Sequence, residues 1–369
     1  MPVEYVLERP SPEPVSVPQL DASQRAVVDH FATGGGGPLL VLAGPGTGKT
    51  TTLVELVVDR IDNGGLSPDE IVVLTFSRKA ANEIRSRIAR RLARTTGTTP
   101  AMTFHSFCYA LLRAEQSSEA FIQPIRLLSA PEHDSVIAEV LAGTDAEEWP
   151  PELRPALRTR GLAGELRSLI AAARARGMDD VDLERVAELA GRSDWRAAAR
   201  FFDELTSVAA LANTIDHTDL IFEAVKTLRD PEVRDRWRAR VRLVVVDEYQ
   251  DTDPLQVELL QALAGDGRDL VVVGDPYQSI YGFRGADVRG IINFPDMFAT
   301  PAGPAPRLSL GYTNRYGEAI ASAVRSVVDN RGALGSVDGK AYEELRSPTS
   351  RVEDPGTVDV RTYSSPTAE

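Results

Sequence analysis

The stretch PLLVLAGPGTGKTT, residues 38–51, decides how the rest of this sequence is read. An apolar run ends at Ala43, and three glycines follow at alternate positions, Gly44, Gly46 and Gly48, separated by Pro45 and Thr47. Glycine lets a backbone curl tightly enough for successive amides to converge on phosphate oxygens. Lys49 adds a point charge suited to the β- and γ-phosphates, and Thr50 offers a hydroxyl to Mg²⁺, with Thr51 next to it. A helical pattern begins at the same point, so the positive end of its dipole faces the anion. The strict form of the motif has glycine where Ala43 stands; alanine there is a common variant.

Working outward, four more apolar stretches resemble residues 38–43: EIVVLTF (70–76), AMTFH (101–105), RLVVVDE (242–248) and DLVVVGD (269–275). Unbroken rather than alternating hydrophobicity means both strand faces are covered, as in a parallel sheet between two helical layers. Strands separated by helical patterns give a doubly wound α/β domain. Residues 242–248 also complete the phosphate loop chemically. Asp247 and Glu248 stand where that strand leaves the sheet, Asp247 suited to Mg²⁺ and Glu248 to taking a proton from an attacking water. Two such motifs at strand C-terminal ends, where open α/β sheets bind ligands, imply a nucleoside-triphosphate site.

Between about residues 113 and 240 the strand signal vanishes, and stretches such as LRSLIAAARARG carry helical spacing, which predicts an all-helical insertion. Residues 1–18, rich in Pro, Ser and Val, read as a flexible lead-in. PAGPAP after Thr300 reads as a boundary, with RLSL and TVDVRTY as the first strands of a further, incomplete domain over 301–369. The single cysteine, Cys108, excludes an internal disulfide and a thiolate zinc cage, and fits a reducing, cytoplasmic setting. No apolar run reaches the roughly 20 residues of a membrane span. The net charge of −13 argues against a generally basic nucleic-acid binder, although Arg78 to Arg94 holds seven basic residues against one acid. A charge run of this kind is ordinarily a solvated helix face.

Six blocks together carry a family resemblance: LDASQRAVV (20–28), AGPGTGKT (43–50), TFSRKAANEIRSRI (75–88), TFHSFCYALLR (103–113), VVDEYQD (245–251) and VGDPYQSIYGFRGA (273–286). In order and content they resemble the early motifs of UvrD/Rep/PcrA-type superfamily 1 DNA helicases, and the acidic balance and tail are similar to actinobacterial AdnA/AdnB helicase-nuclease subunits. The resemblance implies a P-loop, RecA-like ATPase domain over 19–112 and 214–300, a helical insertion over 113–213, and the start of a second motor domain from 301. It implies ATP and Mg²⁺ as cofactors, single- or double-stranded DNA as partner, and a helicase or nuclease subunit as a further partner. Position by position, Gln24 and Tyr312 resemble the adenine-reading glutamine and the adenine-stacking tyrosine. Gln278 and Arg284 resemble the γ-phosphate sensors. Phe76, Phe104, His105, Tyr281 and Phe283 match family positions near single-stranded DNA, where aromatic stacking tolerates any base.

The sequence also departs from that pattern. The family reads N-Y-R near Tyr312, but Thr313 occupies the arginine position and the nearest arginine is Arg315; Thr51 replaces another family arginine. An arginine acting on the γ-phosphate is worth about 10³–10⁵ in turnover. Two readings therefore stand: the motor part of an ATP-driven DNA translocase, or a helicase-like subunit that holds DNA or a partner without catalysis.

Overall fold

The computed structural model describes residues 17–32, 35–92, 100–116, 125–282, 285–331 and 340–361. Its centre is a six-stranded, wholly parallel sheet: β1 (Pro38–Leu42), β2 (Ile71–Thr75), β3 (Ala101–Thr103), β6 (Leu243–Val246), β7 (Asp269–Gly274) and β8 (Arg307–Ser309). The spatial order is β3-β2-β6-β7-β1-β8. All strand C-termini therefore open on one edge, and the ends of β1 and β6 flank the end of β7 there.

Alternate residues of each strand enter different cores, which explains the unbroken apolar runs. Leu39 and Val41 of β1, with Val245 and Val271, pack against helices α1 (Ala22–Asp29), α2 (Lys49–Asp62) and α3 (Arg78–Leu92). Leu40, Leu42, Val246 and Val272 pack on the other face against α4 (Phe104–Glu115), α9 (His217–Leu228), α10 (Pro231–Arg240), α11 (Pro254–Ala264) and α12 (Arg289–Met297). Local chemistry sets where helices begin. Asp21 and Gln24 form a reciprocal capping box at α1, and Asp216 and Asp253 cap α9 and α11. Thr103 caps α4 through Ser106 N–H, so AMTFH is strand only as far as Thr103.

Between α4 and α9 lie α5 (Ala130–Gly143), α6 (Arg160–Arg174), α7 (Asp180–Leu189) and α8 (Ser193–Leu211), which enclose a core of their own around Trp149, Ile170, Phe201 and Phe202. A short parallel pair, β4 (Arg126–Leu127) with β5 (Thr214–Ile215), ties the chain entering these helices to the chain leaving them. Arg174 locks α6 to α9. Its guanidinium donates to Asp219 Oδ1 at 2.7 Å and lies over the rings of Phe202 (4.3 Å) and Phe222 (3.9 Å).

Three expectations need correction. RLSL does not open a new domain: as β8 it extends the first sheet by pairing Leu40–Leu42 with Arg307–Ser309. PAGPAP is instead a turn, closed by the Thr300–Gly303 bridge and by Ala305 N–H donating to Pro295 O. In TVDVRTY, residues 357–361 carry no strand, and 362–363 lie outside the described residues. The chain after β8 forms a small parallel pair, β9 (Tyr312–Thr313) with β10 (Thr349–Ser350), together with α13 (Glu318–Arg331) and α14 (Lys340–Arg346). The expected lead-in lies outside the described residues up to position 16.

Candidate nucleotide site and nucleic-acid surface

The loop after β1 turns through two residues that only glycine adopts easily, Gly46 at φ +77° and Gly48 at φ +85°. Thr47 hydroxyl donates to Gly44 O at 2.8 Å, which closes the loop on itself. Helix α2 starts at Lys49, so Lys49 and Thr50 stand in its first turn with the free N–H groups. Across the sheet edge, Lys49 Nζ reaches Glu248 Oε2 at 3.1 Å. The proposed phosphate lysine and the proposed base thus face each other, although 199 positions separate them in sequence.

Glu248 is held in that position by hydrogen bonds, against the cost of its backbone conformation. Its backbone sits in the left-handed region at φ +54°, which costs a non-glycine residue roughly 1–3 kcal/mol and gathers at functional sites. Gln250 Nε2 donates to Glu248 Oε2 at 2.8 Å, and Gln250 Oε1 accepts from Asp275 N–H at 3.0 Å. Asp275 Oδ2 in turn accepts from Gln278 Nε2 at 2.5 Å. A continuous chain therefore runs Lys49–Glu248–Gln250–Asp275–Gln278 across the ends of three strands. Gln250 and Asp275 were missed by sequence reasoning, although both lie inside the quoted blocks. The signal was the buried environment of strand ends, where a polar residue must find partners. Gly274 is part of this arrangement: a Cβ there would stand 2.6 Å from Gln250 Oε1.

The cleft is rich in carboxyl groups. Burial, and then the charge of Glu248, pushes Asp247 up to about 6, with Lys49 opposing. The same two causes raise Asp251 to about 6, and burial raises Asp275. This surplus of negative potential is what a divalent cation would relieve, so Asp247, with the Thr50 hydroxyl, fits Mg²⁺ chemically. Among the described residues no group of three or more His, Cys, Asp or Glu side chains forms a metal cage.

Gln24 is buried rather than on the surface, and both ends of its amide are engaged. It is 6% exposed; its Oε1 accepts from Asp21 N–H at 3.1 Å and its Nε2 donates to Thr47 O at 3.1 Å. It therefore braces the phosphate loop, and a Cβ on Gly48 would strike its Nε2 at 2.4 Å. Tyr312 stands half-buried beside this corner, with the Arg351 guanidinium 4.1 Å from its ring centroid. Thr313 is fully buried, and its hydroxyl donates to Pro45 O at 3.0 Å.

A second group of residues forms an open cavity of about 320 Å³ lined by Phe76, Arg78, His105, Ser106, Tyr109 and His217 among others. Phe76 is exposed, and its ring is parallel to that of Tyr281, with centroids 6.3 Å apart and planes within 4°. His105 meets His217 at 5.5 Å, and burial, followed by the neighbouring His217, holds His105 below its ordinary pKa. Phe104 must be corrected: at 2% exposure it belongs to the core and supports Phe76 from beneath, with centroids 6.4 Å apart. Phe283 and Arg284 lie outside the described residues. The basic run is largely committed within the fold. Arg91 makes two bonds to Glu55, Arg87 pairs with Glu83, and Arg85 donates to Ala101 O. Among the described residues no helix is long and apolar enough to cross a membrane.

Comparison with known proteins gives the same order of elements a family. The model of the UvrD/REP helicase N-terminal domain matches residues 20–299. ATP-dependent DNA helicase UvrD1 of Mycobacterium leprae is 33% identical over 295 residues, 74% of this chain and 35% of the relative. DNA helicase II of Escherichia coli is 30% identical over 301 residues, covering 80% of this chain and 39% of the relative. ATP-dependent DNA helicase PcrA of Staphylococcus aureus is 30% identical over 299 residues, again 80% of this chain and 38% of the relative. The aligned region thus spans well under half the length of these relatives. With the model of its N-terminal domain matching residues 20–299, most of the sequence, the chain belongs to the UvrD/REP helicase family.

Proposed function

We propose that this chain is the ATP-hydrolysing, strand-gripping part of an ATP-dependent DNA helicase. The observation that carries the proposal is the 3.1 Å contact between Lys49 and Glu248, which joins the loop after β1 to the acid after β6 in one cleft. On nucleotide entry Lys49 exchanges Glu248 for phosphate. Glu248, still anchored by Gln250, is then free to accept a proton from water. Gln278, tied through Asp275 to the same chain of bonds, stands where it can report the γ-phosphate to the following segment, which includes Arg284. Magnesium, when bound with ATP, supplies charge neutralisation of the triphosphate, with Thr50 and Asp247 as its protein ligands. Tyr312 stacks on adenine, while Gln24 shapes the pocket through the phosphate loop.

Phe76 and Tyr281 offer stacking surfaces for single-stranded DNA, with Phe283 beside them in sequence, and Arg78 and His105 line the same cavity. Tyr281 and Gln278 lie three positions apart, so nucleotide state and base grip are coupled through a short segment. Movement along DNA, unwinding, and service to a helicase or nuclease partner are proposed for the complete protein. The test is DNA-stimulated ATPase activity of the complete gene product. Strong stimulation that disappears in Glu248→Gln, a loss of about 10²–10⁴-fold for a general base, is expected. Equal turnover with and without DNA in the unsubstituted protein would overturn the reading and leave the alternative of a non-catalytic, DNA-holding subunit.

A further inference from the structure

Three of the protein's four histidines gather where α4, α5 and the start of α9 come together. His217, the first residue of α9, sets its ring against that of His105 on α4, with centroids 5.5 Å apart and planes at 72°. His133 on α5 places Nδ1 3.1 Å from Asp216 Oδ2, next to His217 in the chain. His105 and His217 both line the open cavity beside Phe76 and Arg78. His217 is exposed and His105 half-buried. Among the described residues neither imidazole makes a hydrogen bond or an ion pair, so their ring nitrogens are uncommitted.

The charged groups around this pair leave it without an anion of its own. Asp216 is the nearest carboxylate, but one oxygen caps α9 by accepting from Asp219 N–H at 2.7 Å, and the other faces His133. Asp219 is bonded to Arg174. On α4 the Tyr109 phenol donates to Ile125 O, with Arg113 3.4 Å from its oxygen. On β4, Leu127 lines the cavity and Arg126 is paired with Glu132. Arg78 adds a permanent positive charge, with no ion pair among the described residues. Burial, and then His217, hold His105 below its ordinary pKa, against the weaker pull of Asp216. His105 is therefore neutral at pH 7 in the free protein. A phosphodiester reverses that balance, because it accepts a charge-assisted bond from a protonated ring N–H.

We propose that His105 and His217 form a proton-linked phosphate contact, in which a backbone phosphate of single-stranded DNA enters this cavity and is bound by a protonated imidazole. The inference rests on the strand surface proposed above and makes its grip depend on pH. Phe76 and Tyr281 take bases, while the histidine pair takes a phosphate and a proton with it. A group that is protonated more readily in the complex than in the free protein makes affinity rise as pH falls. One proton taken up corresponds to about tenfold in affinity per pH unit. Arg78, charged at every pH, keeps binding from vanishing on the alkaline side.

The experiment titrates a fluorescent oligothymidylate, which has no group that ionises between about pH 6 and about pH 8, with the complete gene product across that range at fixed ionic strength. The parent is compared with His105→Gln, His217→Gln and the double variant. Affinity of the parent is expected to rise by about three- to tenfold per pH unit on acidification, each single variant to flatten that rise, and the double variant to abolish it. His217→Gln, at the exposed ring, keeps the test independent of any folding defect in His105→Gln. Calorimetry in two buffers of different ionisation enthalpy should show net proton uptake on binding by the parent and none by the double variant. A pH profile in the double variant as steep as the parent's, or binding by the parent without proton uptake, overturns the inference. If Phe76→Ala weakens binding while the parent shows no pH dependence, the strand surface stands and only this inference falls. If neither Phe76→Ala nor the histidine variants change affinity at any pH, the strand surface fails, and this inference fails with it.

Discussion

Asp247 illustrates how a single residue trades stability for chemistry. Its carboxyl is raised from the ordinary 3.8 to about 6 by burial and by Glu248, so the folded protein holds this proton more tightly than the unfolded chain. Stability from that proton is present below about pH 4 and is lost as pH rises through about 6. At neutral pH, without nucleotide or divalent ions, the ionised group costs on the order of 1–3 kcal/mol. Asp247→Asn should therefore raise the melting temperature at pH 7, flatten its fall between pH 4 and 6, and abolish turnover. Thermal unfolding in chelator across that range checks this; a lower melting temperature at pH 7 contradicts it. Phe76 and Phe104 separate in the same manner. Phe76→Ala should weaken single-stranded DNA binding by about 1–3 kcal/mol and leave folding intact. Phe104→Ala should cost about 3–5 kcal/mol of stability, because it empties a core position. Titrations with a fluorescent oligonucleotide, beside denaturant unfolding, distinguish the two.

At the scale of elements, the informative contacts are those between helices that the chain order keeps apart. Arg174 on α6, buried between Phe202 of α8 and Phe222 of α9, is bonded to Asp219. Burial raises Asp219 to about 6 even with the guanidinium beside it. Removing one partner of such a pair leaves an uncompensated charge, so Arg174→Ala should destabilise the protein by about 3–5 kcal/mol. Because α6 and α8 meet α9 at this residue, limited proteolysis should then cut first between α5 and α8. Global unfolding without that early cleavage would show that the helices are held elsewhere. The short pair of β4 with β5 marks the same junction and had no sequence signature, since two-residue strands carry no period.

Considered as a whole, the molecule is acidic, with a net charge of −13, yet the cavity beside Phe76 presents the permanently charged Arg78. A field that repels a polyanion at long range and a local arginine that would hold it act at different distances. DNA affinity should consequently fall steeply with salt. Arg78→Ala should reduce the slope of log affinity against log salt by about 0.7, the value for one phosphate contact on a single strand. An unchanged slope would remove Arg78 from the DNA surface.

The chain order of strands, the phosphate loop, the strand-end acids and the helical stretch after residue 113 could be read directly from the sequence. Each is a local requirement: unbroken apolar runs for doubly covered strands, glycines for positive φ, acids at strand exits. Only the tertiary structure decided that RLSL extends the first sheet, that Phe104 is core, and that Gln24 braces the loop. It also decided which partners lie at the ends of three neighbouring strands, bringing Gln250 and Asp275 between Lys49 and Gln278. The reason is physical. A parallel sheet places distant segments side by side, and neither burial nor hydrogen-bond partnership across it has a period that a linear sequence records.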